Sequence, residues 1–283
     1  MRTRIVVATV FAFLAALATN VVTAQERAAD GAKIQVATKF RASQIFGMAV
    51  RNNAGKDLGT VKDLIVDMDT GQTRYVVLSF GGFAGFGSKL FAVPFQMTNV
   101  KFGERDHFFV YDVTEEQLKD SPGFDDNTWP NLGDPAWSAG VDKHYKVQPA
   151  EHREGKNIEV VNLYRASTIK NMKVHNEANE DLGYVYDLVL DLKDGKIHYA
   201  ALNYGAIAGL GGKLFAVPFP AFTLHHEGKD KFLVLDISAE KLKAAPGFDS
   251  NHWPDMADPT WSRDIDRYYQ DVRSAERTKT RKD

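Results

Sequence analysis

The chain has no cysteine among its 283 residues. A disulfide framework and a lipid-anchored cysteine are thereby excluded, so core packing must hold the fold, as it can in domains of ordinary size. An excess of positive charge is also missing. Lys plus Arg number 35 against 37 Asp plus Glu, and without Arg2 and Arg4 the balance is 33 − 37 = −4. That balance argues against nucleic acid as a partner. The basic residues that stand out, Arg273, Arg277, Lys279, Arg281 and Lys282, are expected as a solvated tail over 270–283, with weak contact to anionic envelope surfaces as the alternative.

The long apolar run lies at the start. Basic Met1-Arg2-Thr3-Arg4 precedes Ile5 to Ala18, and Val22-Thr23-Ala24 offers the small residues a signal peptidase reads. We expect a signal peptide over 1–24, cleaved after Ala24, and a short lead over 25–39. The competing reading is a retained anchor, because Ile5 to Val22 is nearly long enough to span a bilayer. Cleavage would leave no membrane span and a periplasmic protein in a Gram-negative source.

What the sequence does have is one domain written twice. Phe40 to Tyr145 and Tyr164 to Tyr269 align without a gap at an offset of 218 − 94 = 124, taken from Pro94 and Pro218, with about half the positions identical. The unit is longer than the roughly 20–50 residues of a solenoid repeat, which points to duplication of a whole folding unit. Residues 146–163 between the copies, polar and carrying Pro149 and Gly155, read as a linker and the lead into the second copy.

Each copy opens with a polar lead and an apolar stretch to Val50 or Val174, where a first strand fits. Asn53-Ala54-Gly55-Lys56 suits a hairpin turn, and Asn179 replaces Gly55 in the second copy. Leu64, Val66 and Met68 then alternate with Asp63 and Asp67, as Leu188, Leu190 and Leu192 do with Asp187 and Asp191, the period of a half-buried strand. Turns at Thr70-Gly71 and Asp194-Gly195 lead to returning strands, and a Gly-rich loop feeds Lys89-Leu90-Phe91-Ala92-Val93-Pro94-Phe95 and its copy at Lys213 to Phe219. Pro94 and Pro218 belong at a strand end, edge or bulge. Some six short strands per copy favour a small barrel. Thr114 and Ser238 begin short helices ended by Pro-Gly, and Asp134-Pro135 and Asp258-Pro259 begin second ones.

The signature Asp57-Leu58-Gly59-Thr60-Val61-Lys62-Asp63-Leu64 with Lys89 to Phe95, found again as Asp181 to Leu188 with Lys213 to Phe219, resembles the PRC-barrel domain. That family takes its name from the cytoplasmic domain of the photosynthetic reaction centre H subunit. The resemblance covers about 60 residues of each copy and leaves the Trp-Pro segments as an extension. It implies small β-barrels used for protein or RNA contacts, with no shared catalytic residue. A leader argues against ribosome work. The expected fold is therefore mainly β, two tandem small barrels over 40–145 and 164–269, each followed by a short helical extension.

Four kinds of site deserve weighing. Asp63, Asp67, Asp187 and Asp191 could line a cation site, but a solvated strand face is the plainer expectation, because the copy carries Lys193 in place of Asp69 and no calcium-loop spacing is present. The Gly-rich loops lack phosphate-loop spacing, yet Phe83, Phe86, Ile207 and Leu210 beside Lys89 and Lys213 could form a contact patch. Most histidines have no counterpart in the other copy, and no nucleophile, base and orienting group come together. Trp129, Trp137, Trp253 and Trp261 either fold the extension onto the barrel or form the joint between barrels or a partner groove.

The expectation from sequence is a non-catalytic binding or adaptor protein of the bacterial envelope, with no cofactor, an unidentified envelope protein as partner and self-association possible. Its fused copies would act as a built-in dimer. A small-ligand or cation-binding periplasmic protein is the alternative, and a hydrolytic enzyme a distant third.

Overall fold

A computed structural model describes residues 38–81, 89–102, 106–148, 162–205 and 213–280, with side chains described to Asp271. The leader, the 149–161 stretch of the linker and both Gly-rich loops lie outside the described residues. In repeat 1, β1 (Lys39–Arg41), α1 (Ala42–Ile45), β2 (Ala49–Arg51), β3 (Asp57–Asp67), β4 (Thr73–Phe80) and β5 (Lys89–Pro94) lead through a 3-10 turn to β6 (Thr98–Phe102) and β7 (His107–Tyr111). Then follow α2 (Glu115–Lys119), β8 (Gly123–Phe124) and α3 (Pro135–Tyr145). Repeat 2 keeps the order: β9 (Leu163–Arg165), α4 (Ala166–Ile169), β10 (Lys173–His175), β11 (Asp181–Asp191), β12 (Ile197–Tyr204), β13 (Lys213–Pro218), β14 (Phe222–Glu227), β15 (Asp230–Leu235), α5 (Ala239–Ala244), β16 (Gly247–Phe248) and α6 (Pro259–Thr280).

The fold is mainly β, with each repeat followed by a helix. Hydrogen bonding orders the strands β6-β7-β2-β3-β4-β5-β8 in one sheet and β14-β15-β10-β11-β12-β13-β16 in the other. The motif glycines serve this architecture directly. Gly59 and Gly183 have φ of +108° and +101°, and a Cβ on either would collide with the carbonyl of Ser79 or Asn203 on the neighbouring strand. Asp57 and Asp181 accept the N–H of these glycines at 2.7 Å.

The eighth strand of each sheet comes from the other repeat. β9 pairs with β3 in the register Ile65↔Arg165, Val66↔Tyr164 and Asp67↔Leu163, while β1 pairs with β11 as Lys39↔Asp191, Phe40↔Leu190 and Arg41↔Val189. Each pairing is the other shifted by 124, the mark of an isologous, two-fold contact. Residues on such an axis meet their own twins. Gln72 and Lys196 form a backbone bridge, and the Lys170 Nζ lies 5.7 Å from the ring of its twin Phe46. Beside them, Thr73 N–H donates to Gly195 O and Ile197 N–H to Gly71 O, both at 2.9 Å.

Packing follows the same logic. Both repeats belong to one compact unit, and one apolar cluster includes Leu64 and Phe91 of repeat 1 with Leu188 and Phe215 of repeat 2. A smaller cluster around Ile65, Tyr75 and Val141 takes in Leu163 from β9. Burying a side chain of that size contributes roughly 1.5–3 kcal/mol. Each exchanged strand therefore brings apolar burial as well as ladder hydrogen bonds.

Four expectations need correction. The stretch after Arg41 is a helical turn rather than a strand, because Ala42 and Ile45 bury at helical spacing and Gln44 accepts the Arg41 N–H at 3.0 Å. The alternation along β3 breaks at bulges between Val61 and Asp63 and between Ile65 and Val66. Asp63, Leu64, Ile65 and Val66 are all buried as a result. Each sheet has eight strands rather than six, the additions being two-residue β8 or β16 and the exchanged strand. Finally, α6 continues to Thr280, so 270–280 is helix rather than tail.

Candidate binding surfaces

Two of the four strand-face aspartates do not face solvent. Asp63 and Asp187 are 3% and 1% exposed, and each points to the short helix of the opposite repeat. Asp63 accepts the Ser167 N–H at 3.1 Å and the Leu64 N–H at 2.9 Å, and its second oxygen accepts the Ser167 hydroxyl. Asp187 accepts the Ser43 N–H at 3.2 Å and the Leu188 N–H at 2.9 Å, with Lys170 Nζ 3.6 Å away. Burial pushes the Asp63 carboxyl above the ordinary aspartate range, against the pull of the Ser167 bonds. Asp67 and Asp191 instead cap their β-turns by accepting the N–H of Asp69 and of Lys193, both at 2.9 Å. Among the described residues no group of three or more His, Asp or Glu is placed to hold a metal ion. The weak cation candidates thus serve as joint and turn acceptors.

The tryptophans divide into two roles. Asp134 caps α3 by accepting the Ala136 N–H, with Pro135 at the first helical position, which sets Trp137 edge-on to Tyr75 at 5.4 Å. Trp261 stands in the same way against Tyr199 at 5.2 Å. Both tie a helix to its own repeat. Trp129 and Trp253 pack on Phe124 and Phe248 at 5.0 and 4.9 Å, and each also receives a guanidinium from the other repeat. Arg165 lies 4.7 Å over Trp129 and Arg41 4.7 Å over Trp253. Half of the tryptophan set therefore belongs to the joint.

Lys89 and Lys213 are exposed at the start of β5 and β13, with their stems laid over Gly123 and Gly247. A Cβ at Gly123 would stand 2.6 Å from the Lys89 Cε. Phe83, Phe86, Ile207 and Leu210 lie outside the described residues, so only the lysines of that candidate patch are placed.

Sequence reasoning missed three residues at the other end of the β4–β5 pairing, where Tyr75 lies opposite Pro94. Arg74 pairs with Asp142 at 3.4 Å, and Tyr75 OH donates to the same carboxylate at 2.8 Å. Burial and the Asp142 carboxylate push the Tyr75 hydroxyl well above the tyrosine range. In repeat 2, His198 stands where Arg74 does, its Nε2 buried with no hydrogen-bond partner among the described residues and its pKa lowered by burial and by Lys39. The matching phenol, Tyr199, bonds Asp266 at 3.2 Å and is pushed up to about 12, chiefly by burial. The gapless alignment carried a signal for these sites, because Arg74 and His198 differ while the Tyr and Asp around them do not.

These features define a tandem pair of small β-sheet domains joined by strand exchange and each followed by an aromatic-anchored helix. The chain belongs to the PRC-barrel family: the model of the PRC-barrel domain matches residues 37–117 and again 161–241, over half the sequence. Both matched ranges include the exchanged strand and end before the Trp-Pro segments. The sequence matches no curated protein.

Proposed function

We propose that the chain is a non-catalytic binding or adaptor protein of the bacterial envelope, exported to the periplasm by its leader, with another envelope protein as its partner. The observation that carries this reading is the reciprocal exchange of β1 and β9, which joins two PRC-barrel domains into one unit offering two related surfaces. A target with paired epitopes gains avidity from such a unit without any new contact. Among the described residues no helix is long and apolar enough to cross a membrane.

Crosslinking of tagged protein inside the intact envelope, followed by mass spectrometry, tests the proposal. The expected result is one reproducible protein partner, lost when Phe83 and Phe86 are changed to Ser, together with an N-terminus at Gln25. Absence of any partner would count against the adaptor role, and an N-terminus at Met1 against export by cleavage. A second reading, small-ligand binding, is favoured by one groove.

A further inference from the structure

A groove of about 450 Å3 opens in repeat 1, where the start of β4, the turn after β5, the start of β6 and the end of α3 meet the β11–β12 turn of repeat 2. Thr73 and Asp142, 2% and 5% exposed, line it together with Arg74. The Thr73 hydroxyl is buried with no hydrogen-bond partner among the described residues, an arrangement that calls for an explanation in a native fold. The carboxamides of Gln96, Asn99 and Gln148 stand exposed around these groups.

Repeat 2 supplies an internal control. Ile197 takes the position of Thr73, Pro220 that of Gln96, Phe222 that of Thr98 and Val272 that of Gln148. Every one of these differences removes a polar group. The Phe222 ring lies 6.5 Å from that of Phe219, and the cavity beside the matching Pro218 and Asp266 holds only about 120 Å3. Repeat 1 has an open groove of about 450 Å3 at a position where the cavity of its twin is much smaller and four of the polar groups are missing.

We propose that the repeat 1 groove binds a small neutral saccharide. Its volume falls in the usual range for ligand pockets, but its lining is far more polar than usual. The charges cancel, since Arg74 faces Asp142 and Lys193 adjoins Asp194, so the groove selects neither an anion nor a cation. Hydrogen-bonding capacity is what remains. A sugar hydroxyl both donates and accepts, and adjacent hydroxyls match the paired donor and acceptor sites of carboxamide, carboxylate and guanidinium groups. This inference does not rest on the adaptor reading, and its failure would leave that reading untouched.

The test is an amide chemical-shift titration of the full chain with glucose, galactose, N-acetylglucosamine and maltose, with glutamine and inorganic phosphate as zwitterion and anion comparators. One saccharide is expected to move the amides of Thr73, Arg74 and Asn99 saturably. Thr73→Val, which removes only the hydroxyl, should weaken binding about fivefold to tenfold, the value of one net hydrogen bond. Thr73→Ile, which installs the residue repeat 2 already carries, should weaken it at least as much without moving the urea midpoint. The proposal is overturned if no saccharide shifts those amides, if glutamine or phosphate does so instead, or if Thr73→Ile binds as the wild type does.

Discussion

Repeat 1 and repeat 2 share a fold and a joint, yet the chemistry at matched positions of that joint differs. Asp187 has a cation in ion-pair contact in Lys170, whereas Asp63 is held by the Ser167 hydroxyl and backbone N–H groups and feels the Arg165 charge only as a weaker influence. The reason lies in the symmetry. Phe46 and Lys170 are twins that touch across the two-fold axis, so two identical copies would set Lys against Lys or Phe against Phe. Fusion of the copies allows one of each. The cation near the capping helix has shifted in the same way, from Arg74 on β4 in repeat 1 to Lys39 on exchanged β1 in repeat 2, where Lys39 Nζ donates to Ser262 Oγ at 3.1 Å. Divergence has followed the joint.

The sharpest way to break this comparison is to neutralise each buried aspartate. Asp187→Asn strands Lys170, which is largely buried, and should cost about 3–5 kcal/mol. Asp63→Asn breaks no ion pair among the described residues and keeps an acceptor for the Ser167 N–H, so about 1 kcal/mol is expected. Urea unfolding of both variants gives the comparison, and equal losses would remove the asymmetry.

The turns that cross the joint come next. A Cβ on Gly195 would meet the Phe95 ring at 2.6 Å, whereas one on Gly71 would meet the Phe219 ring at 3.0 Å, and both glycines have positive φ. Left-handed strain costs each alanine about 1–2 kcal/mol. Overpacking adds roughly 1–3 kcal/mol at Gly195. Gly195→Ala should therefore be the more destabilising by thermal melting, and the opposite order would contradict the packing described.

A smaller effect separates the repeats by pH. Burial and Lys39 lower the pKa of His198 in the folded state, so the unfolded chain binds the proton more readily. Its contribution to stability is present above the ordinary value of 6.5 and is lost as pH falls through 6.5 toward the lowered folded value. Urea midpoints should drop between about pH 7.5 and about pH 5.5, and His198→Gln should flatten part of that drop. An unchanged slope would place the titration elsewhere. The smallest effect belongs to the matched Arg–Trp contacts. Arg41→Ala and Arg165→Ala should each cost about 0.5–1 kcal/mol, and by similar amounts, because both guanidinium groups lie 4.7 Å from their rings.

Local rules made much of the fold legible in the sequence. Capping at Thr114, Asp134 and Ser238, glycine at Gly71 and Gly195, and Asn179 with φ of +61° at the turn all depend on neighbouring residues. The exchange did not show, because β1 is three residues long and its partner β11 begins some 140 positions later, so no local period encodes it. The buried aspartates were hidden by bulges that shift the side-chain period within β3 and β11. The Trp129 and Trp253 contacts needed the exchange to be known first. The groove was legible in principle, in the run of repeat positions where polar residues give way to Ile197, Pro220 and Phe222.

The central claim is that neither repeat is complete without the strand the other donates. Residues 38–148 and 162–283 should be expressed separately, their masses determined by sedimentation, and the two then mixed. Neither half should be a stable folded monomer alone, and the mixture should form a one-to-one complex that unfolds cooperatively as the whole chain does. Two independently folded monomers that ignore each other on mixing would contradict the account.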